Sequence, residues 1–472
     1  MTDMSFVLFL PCAGGVEGFL ADEVHGLTGL AGDDLLTLRG GVRVRGDWAL
    51  ALRLNLMSRL AQRVLIELAD APYRDEHDLY RLASGVAWEN WFTPRQSFRV
   101  DVTAQASPLR SLNFATLRIK DAVADRFRQQ ASGVRPSIDT HAPDARVQAH
   151  LGPERALLYI DTSGDPLFKR GWRQDKGDAP LKETLAAAML AACGWWQPAE
   201  RRVSSAPLYD PCCGSGTIVI EAAQLALGLP AGGQRRFAFE RLRTFDAAQW
   251  NAIKKEAVGT PTLRLPSPLA GEGLGERGNG APNNGLRPHS PPRPPLPGPP
   301  PRGGREESLP IQVFGSDVAH RMVDFAQRNA ERAGVAHAVS LRGGDALQRL
   351  PPIDQPGVLL MNPPYGERIA AAGVAGQKAR GREAFQSGTL ARQRADGAAA
   401  DDAQVNAGDE FFARLAAHWK SHYAGWSAWL LTPDLKLPGR LRLKESRRVP
   451  LWNGPIECRL FQFTITKRTA AE

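Results

Sequence analysis

Few cysteines, few paired metal ligands and no long apolar run are found in this chain, and each shortage removes a class of protein. Five cysteines are scattered over 472 residues, with Cys212 and Cys213 adjacent. They form neither a disulfide framework nor a zinc pattern, so a reducing compartment is expected. No stretch reaches the roughly 18 apolar residues that a membrane span needs. The start, with Asp3 and no basic residues before its apolar run, does not read as a secretory signal, and a cytoplasmic protein is expected. Of nine histidines only His418 and His422 share a helix face at i, i+4, with no third ligand nearby, so no metal is expected. The glycine turn around Gly214 and Gly216 carries no lysine and cannot be the GxxxxGK[ST] loop of a triphosphate site.

What is present is enough apolar residue for two or three full cores: 43% of the chain is hydrophobic. A net charge of +9 and a pI near 9.5 favour a polyanionic partner. The charge is concentrated. From Leu435 to Glu472 nine Lys and Arg face three Glu, a net of +6. Lys436, Arg440, Arg442, Lys444, Arg447 and Arg448 read either as an RNA-backbone contact or as a solubilising edge.

The most informative segment is Asp210-Pro-Cys-Cys-Gly-Ser-Gly-Thr-Ile218. Apolar Leu208 and Tyr209 run into an acid, then into Gly214 and Gly216, then into an amphipathic stretch from Thr217 to Leu227. That is a strand, a tight loop and a helix N-terminus, where free amides face a ligand. The Asp210 carboxylate would repel a phosphate and attract an ammonium group. A sulfonium amino-acid cofactor therefore suits this loop (Asp210, Cys212, Gly214, Gly216, Thr217) better than a nucleotide triphosphate.

A second motif, Asn362-Pro-Pro-Tyr365, follows the apolar run Gly357-Val-Leu-Leu-Met361. Prolines stiffen the loop and leave carbonyls available as acceptors. The side-chain oxygen of Asn362 and the carbonyl of Pro363 would together take both hydrogens of one amino group. Pro364 fixes the loop, and Tyr365 offers a flat face to a base, an interaction worth roughly 1–3 kcal/mol. No general base is needed, because the nitrogen lone pair displaces the methyl group and the proton leaves afterwards. Two more acids complete the pattern. Asp317 ends the strand-like Gln312-Val-Phe-Gly-Ser-Asp317 and suits two ribose hydroxyls, and Asp345, after Gly343-Gly344, suits an adenine amino group. A helix N-cap role competes for either acid, and both roles are compatible.

With these residues in this order, the chain resembles the class I amino-methyltransferases. Pro180-Leu-Lys-Glu-Thr-Leu-Ala187 is similar to the helix preceding the glycine loop in RlmL-type large-subunit rRNA guanine-N2 methyltransferases, which implies that Glu183 and Thr184 lie beside the methionine end of the cofactor, S-adenosylmethionine. Asn55-Leu-Met-Ser-Arg-Leu-Ala61, Leu117-Arg-Ile-Lys-Asp-Ala122, residues 139–146 and Lys169-Arg-Gly-Trp-Arg173 are similar to the THUMP-containing N-terminal region of that family. The resemblance covers nearly the whole chain outside two insertions. It implies an RNA substrate, 23S rRNA or a large-subunit assembly intermediate, and RNA contacts at Lys169 and Arg170. Family members often carry a second methyltransferase downstream. With this chain ending at Glu472, guanine-N2 methylation alone is expected.

The first half agrees on its own terms. Residues 5–10 read as a strand, and Val16, Phe19, Leu20, Val24 and Leu27 as a helix face. Phe98, Val100 and Val102 alternate, and 145–151 with 156–162 flank Gly152-Pro153 as a hairpin. The amphipathic stretch 113–127 and its continuation offer Arg118, Lys120, Arg126 and Arg128 to phosphates, or form a solvated face. Later, 411–422 reads as a helix, 426–431 as a strand, and 446–450 with 457–466 as a hairpin supplying an antiparallel edge strand.

Two segments lie outside this pattern. Residues 259–307 turn to Pro, Gly, Arg and Ser, too poor in apolar area to offset ordering, and disorder is expected. Closure entropy grows slowly enough for the fold to tolerate such a loop. Residues 371–408, beside the Asn-Pro-Pro-Tyr loop, suit a mobile lid or an RNA-contacting loop, with plain disorder the simpler account. The overall expectation is an α/β chain, a Rossmann-like class I methyltransferase domain at 166–472 with a seven-stranded, mostly parallel sheet, after an α+β ferredoxin-like and THUMP region at 1–165. Competing readings are a tRNA guanine-N2 enzyme, a DNA adenine-N6 enzyme, a protein glutamine methyltransferase and a non-catalytic RNA-binding protein.

Overall fold

The structure is a computed structural model describing residues 5–130, 133–177, 180–258, 263–265, 311–363 and 397–466. Its first sheet grows from alternating strands. In chain order come β1 (Phe6–Pro11), α1 (Glu17–Thr28), β2 (Leu35–Leu38), β3 (Gly41–Gly46), α2 (Trp48–Met57), β4 (Leu65–Pro72), α3 (Glu76–Gly85), β5 (Ser97–Ala104), α4 (Leu112–Gln130), β6 (Ser137–Ile138), β7 (Ala145–Leu151) and β8 (Arg155–Asp161). Side chains one apart point to opposite faces, so β1 buries Leu8 and Leu10, and β7 buries Ala145, Val147, Ala149 and Leu151. α1 buries Leu20 and Val24 against this sheet, and the Asp47 and Asp75 side chains cap α2 and α3 by accepting from Leu50, His77 and Asp78 amides. The strand order is β2-β3-β1-β4-β8-β7-β5-β6. The antiparallel β4–β8 pair joins a first unit, βαββαβ from β1 to β4, to a second running from α3 to β8.

The rest of the chain forms α5 (Glu183–Ala192), β9 (Trp196–Gln197), β10 (Arg202–Ser204), β11 (Leu208–Asp210), α6 (Thr217–Ala226), α7 (Ala247–Val258), β12 (Leu263–Leu265), β13 (Val313–Asp317), α8 (His320–Arg332), β14 (Val339–Gly343), β15 (Val358–Met361), α9 (Gly397–His422), β16 (Ser427–Thr432), α10 (Leu437–Leu441), β17 (Arg447–Asn453) and β18 (Ile456–Thr464). Among the described residues seven strands make a Rossmann-like sheet in the order β14-β13-β11-β15-β16-β18-β17. β15 is apolar throughout and fully buried, as a parallel strand covered on both faces must be. α5 is buried along its whole length and, beyond Glu183 and Thr184, apolar on every side.

Three expectations about secondary structure need correction. The antiparallel strand is not at the edge: β18 is inserted between β16 and β17 and runs against both. A hairpin in sequence identifies two strands but not which one docks. Within 259–307, Leu263–Leu265 pairs parallel with β10, and α9 starts at Gly397, so 397–408 is helical rather than irregular. The remaining parts of both segments lie outside the described residues. Among the described residues no helix is long and apolar enough to cross a membrane.

A buried ionic cluster ties the two sheets together. Arg59, just after α2, and Arg170, in the connector after β8, pair with the two oxygens of Glu221 on α6 at 2.9 and 3.0 Å. Arg170 also donates to the carbonyls of Leu167 and Arg59, and Glu23 on α1 accepts from the Arg59 amide at 2.7 Å. Arg170 is 1% exposed. The expectation that it contacts RNA is therefore wrong: a guanidinium enclosed by a carboxylate and two carbonyls has no face left for a phosphate.

Candidate active site

Four strand ends converge at one edge of the second sheet. β11 lies between β13 and β15, with Asp210 opposite Gly315 and Tyr209 opposite Leu359. Asp317 ends β13 opposite Gly343 of β14, and Asp345 follows two residues later. In an open α/β sheet this carboxyl edge is where ligands bind. The sheet thus lines up Asp345, Asp317, Asp210 and Asn362 in that order.

The loop from β11 into α6 is held from several directions. The Cys213 amide donates to the Ser316 carbonyl at 2.8 Å, and the Gly214 amide to Asp317 Oδ2 at 3.0 Å. The other oxygen of Asp317 accepts from the Ala319 amide at 2.9 Å. Asp317 therefore fixes the turn leading into α8 while bracing the glycine loop. Asp345 likewise accepts from the Leu347 amide at 2.9 Å. Gly216 has φ 87°, and a Cβ there would stand 3.0 Å from that of Ala326, so only glycine fits beside α8. Gly214, at φ 53°, has nothing within 4 Å of its missing side chain, leaving room for a ligand against the backbone.

The electrostatics select the sign of that ligand. Asp210 is 2% exposed. Burial, with Asp317 adding to it, pushes its carboxyl up to about 8, offset in part by the Cys212 amide at 3.0 Å. Burial also raises Asp317, against the pull of the Ala319 and Gly214 amides. The Cys212 and Cys213 thiols are pushed well up by burial and by these acids, which makes them neutral and poor nucleophiles. Among the described residues no ion pair reaches Asp210. A cationic ligand would relieve this pocket, and a phosphate would load it further.

Glu183 and Thr184 open α5 and are buried next to the loop. Burial raises the Glu183 carboxyl, opposed by Arg173, whose Nε donates to it at 2.8 Å. Arg173 and Asn329 are contributors that the motifs do not reveal. Asn329, on the buried face of α8, donates to the Ser215 carbonyl at 3.0 Å. Its only sequence signal is a polar residue where the helix period calls for an apolar one. On the other side of β11, Asn362 is half-buried and Pro363 buried at the end of β15. Pro364 and Tyr365 lie outside the described residues.

The basic candidates are spread out. Arg118 stacks over Tyr80 at 4.9 Å, Lys120 stands 3.8 Å from Asp121, and Arg126 and Arg128 pair with Glu89 and Asp125. Lys169 is exposed and paired with Asp165 at 3.3 Å. Arg440 pairs with Asp434 at 3.2 Å, while Arg442 is exposed in a left-handed conformation, φ 49°. His418 hydrogen-bonds the Arg349 carbonyl at 2.7 Å, and among the described residues no group of three His, Cys, Asp or Glu could hold a metal ion.

Comparison with known proteins matches three successive parts of the chain. Residues 7–65 match the RlmL ferredoxin-like domain, 73–161 the THUMP domain, and 170–265 with 302–378 the RMKL-like methyltransferase domain. The chain is 30% identical over 467 residues to the ribosomal RNA large subunit methyltransferase K/L of Psychromonas ingrahamii, covering 98% of this chain and 51% of that protein. The protein of the same name from Aeromonas salmonicida is 30% identical over 485 residues, covering 98% and 55%. The chain carries an RlmL ferredoxin-like domain, a THUMP domain and an RMKL-like methyltransferase domain, in that order. The chain spans about half the length of the curated relatives it matches. Its fold is shared with a protein described as a possible methylase from Clostridium difficile 630 (22% identical, TM-score 0.73, covering 99% and 100% of the two chains). It is also shared with SMU.472, described as a putative methyltransferase complexed with SAH (24% identical, TM-score 0.72, covering 99% of each).

Proposed function

We propose that this chain methylates the exocyclic N2 of a guanine in 23S rRNA, using S-adenosylmethionine. One observation carries the reading: Asp210 and Asn362 leave neighbouring parallel strands at the same edge of the sheet. A cofactor-binding loop and an amine-binding loop then share one crevice. The matched relatives are named for large-subunit rRNA, which supports the substrate.

The donor set fits the cofactor. Asp210 is a buried carboxylate suited to an ammonium group, Asp317 to a ribose diol and Asp345 to an adenine amino group, with Cys212, Gly214, Gly216, Thr217, Glu183 and Thr184 around them. Bound there, the cofactor would supply an electrophilic methyl group. The chain's own residues provide alignment. Asn362 and the Pro363 carbonyl fix the guanine amine, Pro364 stiffens the loop, and Tyr365 stacks on a base flipped out of the RNA. Alignment of this kind can be worth roughly 7–11 kcal/mol. Residues 1–165 would present the RNA to the methyltransferase domain at 166–472, with Arg118, Lys120, Lys169, Arg440 and Arg442 contributing backbone contacts. The partner would be 23S rRNA or a cytoplasmic large-subunit assembly intermediate.

The test is transfer of labelled methyl from S-adenosylmethionine to total RNA from a strain lacking this protein, followed by nucleoside analysis. N2-methylguanosine in large rRNA is the expected result. Label in tRNA would reassign the substrate, and no label in RNA would remove the proposal.

A further inference from the structure

One guanidinium joins two segments of the pocket wall. Arg173 lies in the connector between β8 and α5, and its side chain is 12% exposed. Nε donates to Glu183 Oε1 at 2.8 Å, Nη1 to Ser215 Oγ at 3.2 Å, and Nη2 to Thr217 Oγ1 at 2.7 Å and to the Leu181 carbonyl at 3.2 Å. Leu181 and Glu183 bracket the start of α5. Ser215 and Thr217 lead from the glycine loop into α6. A planar fork can hold these acceptors in one geometry, which a lysine ammonium on a flexible stem cannot.

The fork is itself anchored. Asn329 takes the amides of Gln174 and Asp175 at 3.3 Å each and donates to the Asp175 carbonyl at 2.8 Å. Asp175 pairs with Arg328 at 2.8 Å and Arg332 at 2.5 Å on α8. Three residues earlier in the connector, Arg170 grips the same helix α6 at Glu221. Arg173 is thus fixed from both flanks.

Direction of donation decides what the wall presents. A guanidinium has donors only, so Ser215 Oγ and Thr217 Oγ1 both act as acceptors towards Arg173, and each keeps its own O–H to donate elsewhere. Hydroxyl donors suit a carboxylate, and the buried Asp210 at the start of the same loop, with no ion pair among the described residues, suits an ammonium. Together these are the two ends of a zwitterionic amino acid.

We propose that Arg173 is a positioning residue that orients the Ser215 and Thr217 hydroxyls as donors to the α-carboxylate of the cofactor's amino-acid end. The inference rests on the S-adenosylmethionine reading above. It is tested by titration calorimetry of the full chain with S-adenosylhomocysteine and with 5′-methylthioadenosine, which lacks the amino-acid end. Arg173→Met is expected to weaken S-adenosylhomocysteine more than tenfold and to leave 5′-methylthioadenosine unchanged. Arg173→Lys should fall between wild type and Arg173→Met. Equal losses for both ligands, as from a generally loosened pocket, would overturn the proposal, as would no loss for either. Should Arg173→Met not fold, Thr217→Val decides: a selective loss supports the proposal and an unchanged affinity sinks it. If the folded wild type bound neither ligand, the cofactor reading itself would fall, and this inference with it.

Discussion

Two buried carboxylates on the same β11–α6 segment behave in opposite ways. Burial would raise Glu221, but Arg170 and then Arg59 outweigh it and hold its carboxyl below the usual range. Asp210, equally enclosed, has one amide for support and is pushed up to about 8. At the junction of the two sheets the counter-charge is built into the chain. At the strand-end crevice none is supplied among the described residues, which leaves it for a ligand to bring. A buried charge that the fold completes is structural, while one that the fold leaves incomplete marks a site.

The sharpest way to break this contrast is to remove each acid and measure stability. Glu221→Ala strands two buried guanidinium groups and should cost about 3–5 kcal/mol in urea unfolding. Asp210→Asn should cost nothing, or stabilise the ligand-free protein at alkaline pH, while losing cofactor. Equal destabilisation by the two would end the comparison. Next in size, Asn362→Ala should lower turnover by about 10²-fold or more with cofactor affinity within twofold of wild type. An unchanged rate would show that the amine is held elsewhere. Asp317→Ala should weaken the cofactor about tenfold, and it should also loosen the Gly214 loop, detected as faster amide exchange there.

A pH dependence follows from Asp210. The folded, ligand-free protein keeps this proton from the ordinary 3.8 up to about 8, while the unfolded chain has released it. The native state therefore binds more protons across that window, and ligand-free stability should fall as pH rises from about 4 to about 8. Cofactor affinity should climb towards the upper end of the same window as the carboxylate ionises, and Asp210→Asn should flatten both curves. Calorimetry in buffers of different ionisation enthalpy would count the proton released on binding. The smallest effect belongs to the surface. Arg442→Ala should reduce RNA affinity only slightly, with the salt slope falling by about one.

Much of the architecture is legible because it rests on local patterns. An acid after an apolar run followed by two glycines defines β11, its loop and α6, and alternation defines β5 and the β7–β8 hairpin. The parts that were not legible depend on distant partners. Lys169-Arg-Gly-Trp-Arg173 has the composition of a phosphate-binding patch, yet Arg170 is enclosed because Arg59 and Glu221 arrive from far away in the chain. Arg173 closes that same motif, but its role is not legible there, since its acceptors are spread over 181–217. Asp317 is more nearly half-readable: its position at the end of β13 is local, whereas its bond to the Gly214 amide exists only once β11 and β13 lie side by side.

The placement of β18 also sets an order of events during synthesis. Its nine residues, Ile456–Thr464, lie between β16 and β17, both of which precede it in the chain. Until they leave the ribosome, β17 has no neighbour in the sheet, and the hydrogen-bonding edge of β16 stays open beside the apolar Leu430 and Leu431. An open strand edge invites pairing with another chain. The crevice-forming strands β14, β13, β11 and β15 have all emerged by then, so the ligand-binding edge is complete in sequence while the opposite flank of the sheet is still a liability. A cofactor able to bind that early would stabilise the half-built sheet during its most association-prone interval.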